Sequence, residues 1–184
     1  KAKEVNMPNE NINRAIIKGA GNDSDTQLED ITYEAYGPHG VALLIETLTD
    51  NKNRTVPNIR AILTRHNSAL ATTGAVSYLF NKKGLFLFSP ATNEDQLLDL
   101  ALANDTDDID TKEDGSIEVL TEPSQFETLK TTFDANAMTY DIAEITMIPS
   151  TYVLLSQADA DPVITLIEKI EDDDDVQNVY ANLD

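Results

Sequence analysis

Apolar and polar positions along this chain fall into short runs and helical stripes. Ile31 to Ala35 and Val41 to Thr47 read as two strands. The second is almost wholly apolar, which predicts a central place in a sheet. Pro38 and Gly40 make the turn between them. Val56, Ile59, Ile62 and Leu63 recur at helical spacing and predict a helix running to about His66. Thr55 is its candidate N-cap, with Pro57 tolerated in the first turn. Ala75 to Phe80 and Leu85 to Phe88 read as short strands around a hairpin at Asn81-Lys82-Lys83-Gly84.

From Leu85 a second pattern begins. Strand 85–88 is followed by a helix over 94–103, strands 108–112 and 116–121, a helix over 124–136 and strand 142–148. That order is βαββαβ, the split pattern of a ferredoxin-like domain. The remainder supplies a strand from Tyr152 to Leu155, a helix from Pro162 to Ile170 and a last strand from Val176 to Asn182. Joined to the elements before residue 85, these complete another α/β sandwich. Ahead of both, Lys1 to Glu4 reads as the last turn of a helix whose start is missing, and Asn6-Met7-Pro8 ends it. Asn9 then caps a short helix with Ile12, Ala15, Ile16 and Ala20 as its apolar stripe.

The predicted fold class is therefore α+β: two ferredoxin-like α/β sandwich domains, one inserted in the other, plus a remnant of an N-terminal helical domain. The expected boundaries are 1–24 for the remnant, 25–84 with 151–184 for the discontinuous first domain, and 85–150 for the insertion. Two sequential domains divided near residue 89 are the alternative.

Composition sharpens this picture. The 184 residues are 41% hydrophobic, enough for a real core. No apolar run approaches the roughly 20 residues that a membrane helix needs. There are no cysteines, which excludes disulfides, thiol catalysis and thiolate metal sites.

Charge is uneven. Residues 1–90 hold 10 basic and 9 acidic residues, net +1, whereas residues 91–184 hold 3 basic and 24 acidic, net −21. No acidic residue occurs from Asn51 to Asn93, in a protein of formal charge −20. That acid-free window contains Lys52, Arg54, Arg60, Arg65, Lys82 and Lys83. A basic island on an acidic protein is a candidate for an anionic partner. The bland alternative is a solvated helix face and a hairpin turn.

Within the window, Arg54 and Arg65 can pair with phosphates bidentately. Asn51 and Asn53 can bond a backbone or a base edge, though asparagines before a helix more often cap it. Tyr33, Tyr36 and Tyr78 are candidates for base stacking, against the commoner reading of half-buried packing in strands. Gly37, Pro38 and Gly40 form a tight turn needing glycine at positive φ, or a loop that meets a partner. The acid-rich segment from Asp105 to Asp114 fails as a calcium loop. With Gly115 at the loop-glycine position, Lys112 replaces an oxygen ligand and Thr121 the bidentate glutamate. His39 and His66 are the only histidines, and no nucleophile-elbow, P-loop or zinc-protease pattern occurs. No metal, cofactor or small-molecule substrate is expected. The run from Glu171 to Asp175 lies near a helix C-terminus, where negative charge is unfavourable, and suggests either a basic protein partner or a device for solubility that discourages edge pairing by the final strand.

These blocks carry a family resemblance. Tyr33-x-x-Tyr36-Gly37-Pro38-x-Gly40, the run Leu48-Thr49-Asp50-Asn51-x-Asn53-Arg54-Thr55, the pair Arg65-His66 and the block ending Lys82-Lys83-Gly84 resemble the YebC/PmpR family. Met7 to Gly21, Met147 to Val153 and Asp173 to Asn182 match the same family. His39 stands where the family commonly has glycine. The resemblance implies a non-enzymatic transcriptional regulator that binds duplex DNA and acts in the cytoplasm, or in the mitochondrial matrix of a eukaryote. It is also related to a mitochondrial translational activator of cytochrome oxidase subunit one. That kinship implies the alternative of a ribosome-associated translation factor touching ribosomal RNA. A third alternative is an acidic protein-binding module. The resemblance further implies a basic helical N-terminal domain that this chain lacks. The expected nucleic-acid contacts are Lys52, Asn53, Arg54, Arg60, Arg65, Lys82 and Lys83. The expected motif loop comprises Tyr33, Tyr36, Gly37, Pro38, Gly40, Asp50, Asn51 and Thr55.

Overall fold

A computed structural model of the chain describes residues 28–104 and 106–184. The expected helix over Asn9 to Gly21 and the N-terminal remnant lie outside the described residues. The fold is α+β, with two four-stranded sheets and, among the described residues, four α-helices. The chain divides into two compact units, one ending at Leu79 and resuming at Pro149, the other spanning Phe80–Ile148.

The first unit is built on a hairpin. Strand β1 (Glu29–Tyr36) pairs antiparallel with β2 (Ala42–Thr49), from Glu29 opposite Thr49 to Tyr36 opposite Ala42. Helix α1 (Lys52–Arg65) leads to a two-residue strand, β3 (Ala69–Leu70), beside β1. After the second unit come α4 (Gln157–Glu171) and β8 (Val176–Ala181), which pairs with β2. The sheet order is β3-β1-β2-β8. Strands β2 and β3, joined by α1, are separated by β1, a split βαβ arrangement. Alternation sends Ala35, Leu43 and Ile45 to one face, where Ile59 and Leu63 of α1 and Val163, Leu166 and Ile170 of α4 cover them. β2 is central and nearly all buried, as its apolar run predicts.

The second unit runs β4 (Phe80–Phe88), α2 (Glu94–Leu102), β5 (Asp108–Thr111), β6 (Ile117–Thr121), α3 (Phe126–Ala135) and β7 (Ile142–Pro149). The sheet order β5-β6-β4-β7 places one strand between the partners of each helical crossover, which is the ferredoxin-like path. Its core is aromatic. Phe86 stacks on Phe126 with ring centroids 4.8 Å apart, and Phe133 meets Phe86 and Phe88 edge-on, at 5.1 Å each.

Several local expectations are corrected. Asn81 to Gly84 is no hairpin but part of the continuous strand β4. Gly84 is small there because a Cβ would come within 2.8 Å of Phe126 and Thr121 side-chain atoms. Ala75 to Leu79 is not a strand either, and Ser77–Leu79 forms a single 3-10 turn. Helix α1 begins three residues before Thr55, with Asn51 as its N-cap. Helix α4 begins at Gln157, capped by Ser156, well before Pro162. Tyr152 to Leu155 contributes only an isolated parallel bridge, from Val153 to Leu183.

Candidate nucleic-acid interface

The acid-free window turns its first cations inward. Asn51 caps α1, its side chain accepting from the Asn53 backbone N–H at 3.1 Å. One turn on, Thr55 is buried, and its hydroxyl donates to Asp175 Oδ2 at 2.8 Å. Arg54 grips the same carboxylate through two nitrogens, Nη2 to Oδ1 at 2.8 Å and Nε to Oδ2 at 3.3 Å. Arg54 Nη2 also reaches Asp50 at 2.9 Å. Hydrogen bonding to Asp175 in first place, then to Asp50, raises the Arg54 pKa above its ordinary value. Asp175 is only 2% exposed, whereas Arg54 is 44% exposed. The Asp175 backbone oxygen accepts from Leu48 N–H, and its own N–H donates to Asp173. Asp50, Asn51, Arg54 and Thr55 thus join β2, the start of α1 and the start of β8. Tyr33 belongs to the same neighbourhood. Its ring packs on the core, among the described residues its buried hydroxyl has no hydrogen-bond partner, and burial, then Asp175 and Glu29, raise its pKa.

Further along α1 the cations face water. Arg60 and Arg65 are exposed and, among the described residues, make no ion pair. Asn53, Ala61 and Thr64 are exposed on the same helix, which carries no carboxylate of its own. Lys52 sits 3.8 Å from Glu29 with both side chains half-exposed, a weak pairing. Arg65 in the last turn also suits the helix dipole. Lys82 and Lys83 lie in the second unit, on β4. Lys82 is exposed, while Lys83 is paired with Asp107 and Glu122. Of the four cations of the window in the first unit, carboxylates hold Arg54 closely and Lys52 weakly, and Arg60 and Arg65 make no ion pair among the described residues.

The motif loop has its own geometry. His39 and Gly40 both adopt left-handed φ, 59° and 79°. A residue without Cβ is favoured at both, so glycine is the natural occupant of position 39. Gly37 is different: its φ is −82°, and it needs no left-handed freedom. Between Tyr33 and Tyr36 lies Glu34, only 6% exposed. Its carboxylate accepts backbone N–H groups from Gly74 at 2.6 Å, Val76 at 2.7 Å and Ser77 at 2.8 Å. Burial pushes the Glu34 carboxyl up, but these bonds outweigh it and hold its pKa below the ordinary range. The Tyr36 hydroxyl donates to the Ala75 carbonyl. Tyr36 and Tyr78 are both exposed, Tyr78 to 72%.

Sequence reasoning missed Glu34, Asp175 and Asn182. Asn182 is buried, accepts from Ala42 N–H at 2.7 Å and donates to Thr151. The only signal was their place inside the quoted blocks, since a buried carboxylate looks like any other in a run of acids.

The model of the TACO1/YebC second and third domain matches residues 28–183. The chain belongs to this family. A protein of Anoxybacillus flavithermus is 49% identical over 187 residues, covering all of this chain and 76% of the relative. One from Geobacter is 47% identical over 184 residues, covering all of this chain and 74% of the relative. Both carry the name "Probable transcriptional regulatory protein". The crystal structure of a conserved hypothetical protein from Aquifex aeolicus superimposes with a TM-score of 0.79 at 37% identity, over all of this chain and 76% of that one. Among the described residues no helix is long and apolar enough to cross a membrane.

Proposed function

We propose that this TACO1/YebC chain is a non-enzymatic, cytoplasmic regulator of gene expression that grips nucleic acid through the exposed face of α1. Arg60 and Arg65 are its phosphate contacts, flanked by Lys52 and Asn53. Lys82 is a separate contact on the second unit. Arg54 and Lys83 serve folding instead, because carboxylates already hold them. The observation that carries this reading is a helix with no carboxylate of its own that exposes two guanidinium groups, neither in an ion pair among the described residues, on a protein of charge −20. The names of the relatives support transcription as the process, and duplex DNA is the partner that this reading proposes.

One observation favours a second reading, docking on the ribosome. Among the described residues few cations remain unpaired, whereas a DNA-binding protein can make about 6–10 phosphate contacts. A small basic face suits a mixed surface of RNA and protein better than a bare duplex. Binding to duplex DNA and to purified ribosomes across a salt series separates the two. DNA binding with a steep salt slope and sequence preference supports the first. Ribosome binding that survives salt and outcompetes DNA supports the second. Absence of both overturns the nucleic-acid reading.

A further inference from the structure

Among the described residues three tyrosines are exposed: Tyr36, Tyr78 and Tyr152, at 43%, 72% and 52%. They are far apart in the chain, and the first unit brings them to one end of its sheet. A closed circuit of hydrogen bonds does this. The Tyr36 hydroxyl donates to the Ala75 carbonyl at 3.1 Å. Leu79, four residues on, accepts from the Ser150 N–H at 2.7 Å and from the Ser150 hydroxyl at 3.0 Å. Next to Ser150, the Thr151 carbonyl accepts from Asn182 Nδ2 at 3.2 Å. Asn182 Oδ1 accepts from the Ala42 N–H at 2.7 Å, and Ala42 lies opposite Tyr36 in the β1–β2 pair. Buried Glu34 braces the same loop through Gly74, Val76 and Ser77. The tyrosines therefore stand on a cross-linked frame.

The two segments that carry Tyr78 and Tyr152 are uncharged. Residues 71–81 and 150–158 contain no acidic or basic side chain, the second of them within the strongly acidic half of the chain. A phosphate contact lies close by. Arg65 is exposed in the last turn of α1, and four residues later Ala69 of β3 pairs with Tyr36. Aromatic rings on an uncharged surface beside a guanidinium group match one ligand. A single nucleic-acid strand offers base faces for stacking and phosphates for pairing, whereas a duplex hides those faces between its own base pairs. We propose that this end of the first sheet stacks unpaired bases on Tyr78 and Tyr152, with Tyr36 beside them and Arg65 on the strand's phosphates. The proposal rests on the nucleic-acid reading and names the unpaired strand as the form of nucleic acid that the tyrosines take.

The test measures binding of the chain to a fluorescein-labelled single-stranded RNA of about 12 nucleotides, and to the duplex of the same sequence, by anisotropy across a salt series. Tyr78→Ala with Tyr152→Ala lowers single-strand affinity about tenfold, keeps the salt slope and leaves duplex affinity unchanged. Tyr78→Phe with Tyr152→Phe keeps the parent's affinity, because stacking needs the ring and not the hydroxyl. Should the double alanine variant melt early, Tyr78→Ala alone gives a smaller loss at the same slope. Arg60→Ala with Arg65→Ala lowers affinity for both forms and flattens the slope, so it reports on the nucleic-acid reading separately. Unchanged single-strand affinity in the alanine variants, beside a loss in the arginine variant, overturns the tyrosine site alone. So does a loss that the phenylalanine variant shares, or one that is equal on the duplex. Absence of binding to either form overturns both.

Discussion

Arg54 and Arg65 lie on one helix, about 20° apart around its axis by helical geometry. Their surroundings differ in kind. Arg54 closes on a carboxylate that is 2% exposed, beside a buried threonine hydroxyl. Arg65 stands in water at the helix C-terminus and makes no ion pair among the described residues. A charge count cannot separate them, because both belong to the same acid-free stretch. What separates them is where Asp175 enters. It arrives from the far end of the chain, as the fourth in a run of four aspartates. The lesson is that a basic window is not by itself a basic surface. Part of it neutralises the protein's own acids, and only the remainder is available to a partner.

Substitutions can break this contrast, beginning with the largest effect. Arg54→Ala leaves Asp175 buried without its main cation. Unfolding in urea should show a loss of about 3 kcal/mol, discounted from the upper range because Arg54 is itself half-exposed. Arg60→Ala or Arg65→Ala should stay within about 0.5 kcal/mol. Equal losses would end the distinction.

Glu34 is the next test, since its partners Gly74, Val76 and Ser77 also lie in the acid-free window. Its folded pKa is lowered, so the folded state favours the ionised form. That stability is fully present above the unfolded carboxylate value of roughly 4.3. It is lost as pH falls through the lower folded value. Glu34→Gln should cost about 2 kcal/mol at pH 7, because an amide offers one acceptor oxygen to three N–H groups, that of Val76 buried. The variant should also lose less stability than the parent below about pH 4.3. Identical acid unfolding curves would remove Glu34 from the account.

Gly84→Ala probes the second unit. Its Cβ meets Phe126 and Thr121 atoms at 2.8 Å, so overpacking should cost about 1–2 kcal/mol, read from the melting of that unit. The smallest effect is Tyr33→Phe. The hydroxyl it removes is buried and, among the described residues, has no hydrogen-bond partner, so stability should stay within about 0.5 kcal/mol or rise. A clear loss would mean that this hydroxyl bonds something in solution.

Much of the fold was legible in local pattern. The apolar run of β2, the stripe of α1 and the βαββαβ order of the second unit follow from periodicity and turn residues. Errors arose where distant packing overrode local chemistry. Asn81-Lys82-Lys83-Gly84 has turn composition, yet Lys83 pairs with Asp107 and Glu122, and Gly84 admits the Phe126 ring. Thr55 resembles an N-cap, but its hydroxyl is committed to Asp175, and Asn51 caps instead. Arg60 and Arg65 were legible as exposed cations because, among the described residues, no carboxylate pairs with them. Arg54 was not legible as a structural residue, because its partner lies 121 positions away.

The central claim is that Arg60 and Arg65 form the part of the window available to a polyanion. Its most direct test is the nucleic-acid affinity of the chain carrying Arg60→Ala and Arg65→Ala, measured against the parent across a salt series. The account predicts about a tenfold loss at low salt and a log–log slope shallower by up to about two, with unfolding free energy unchanged. Unchanged affinity and slope would contradict it.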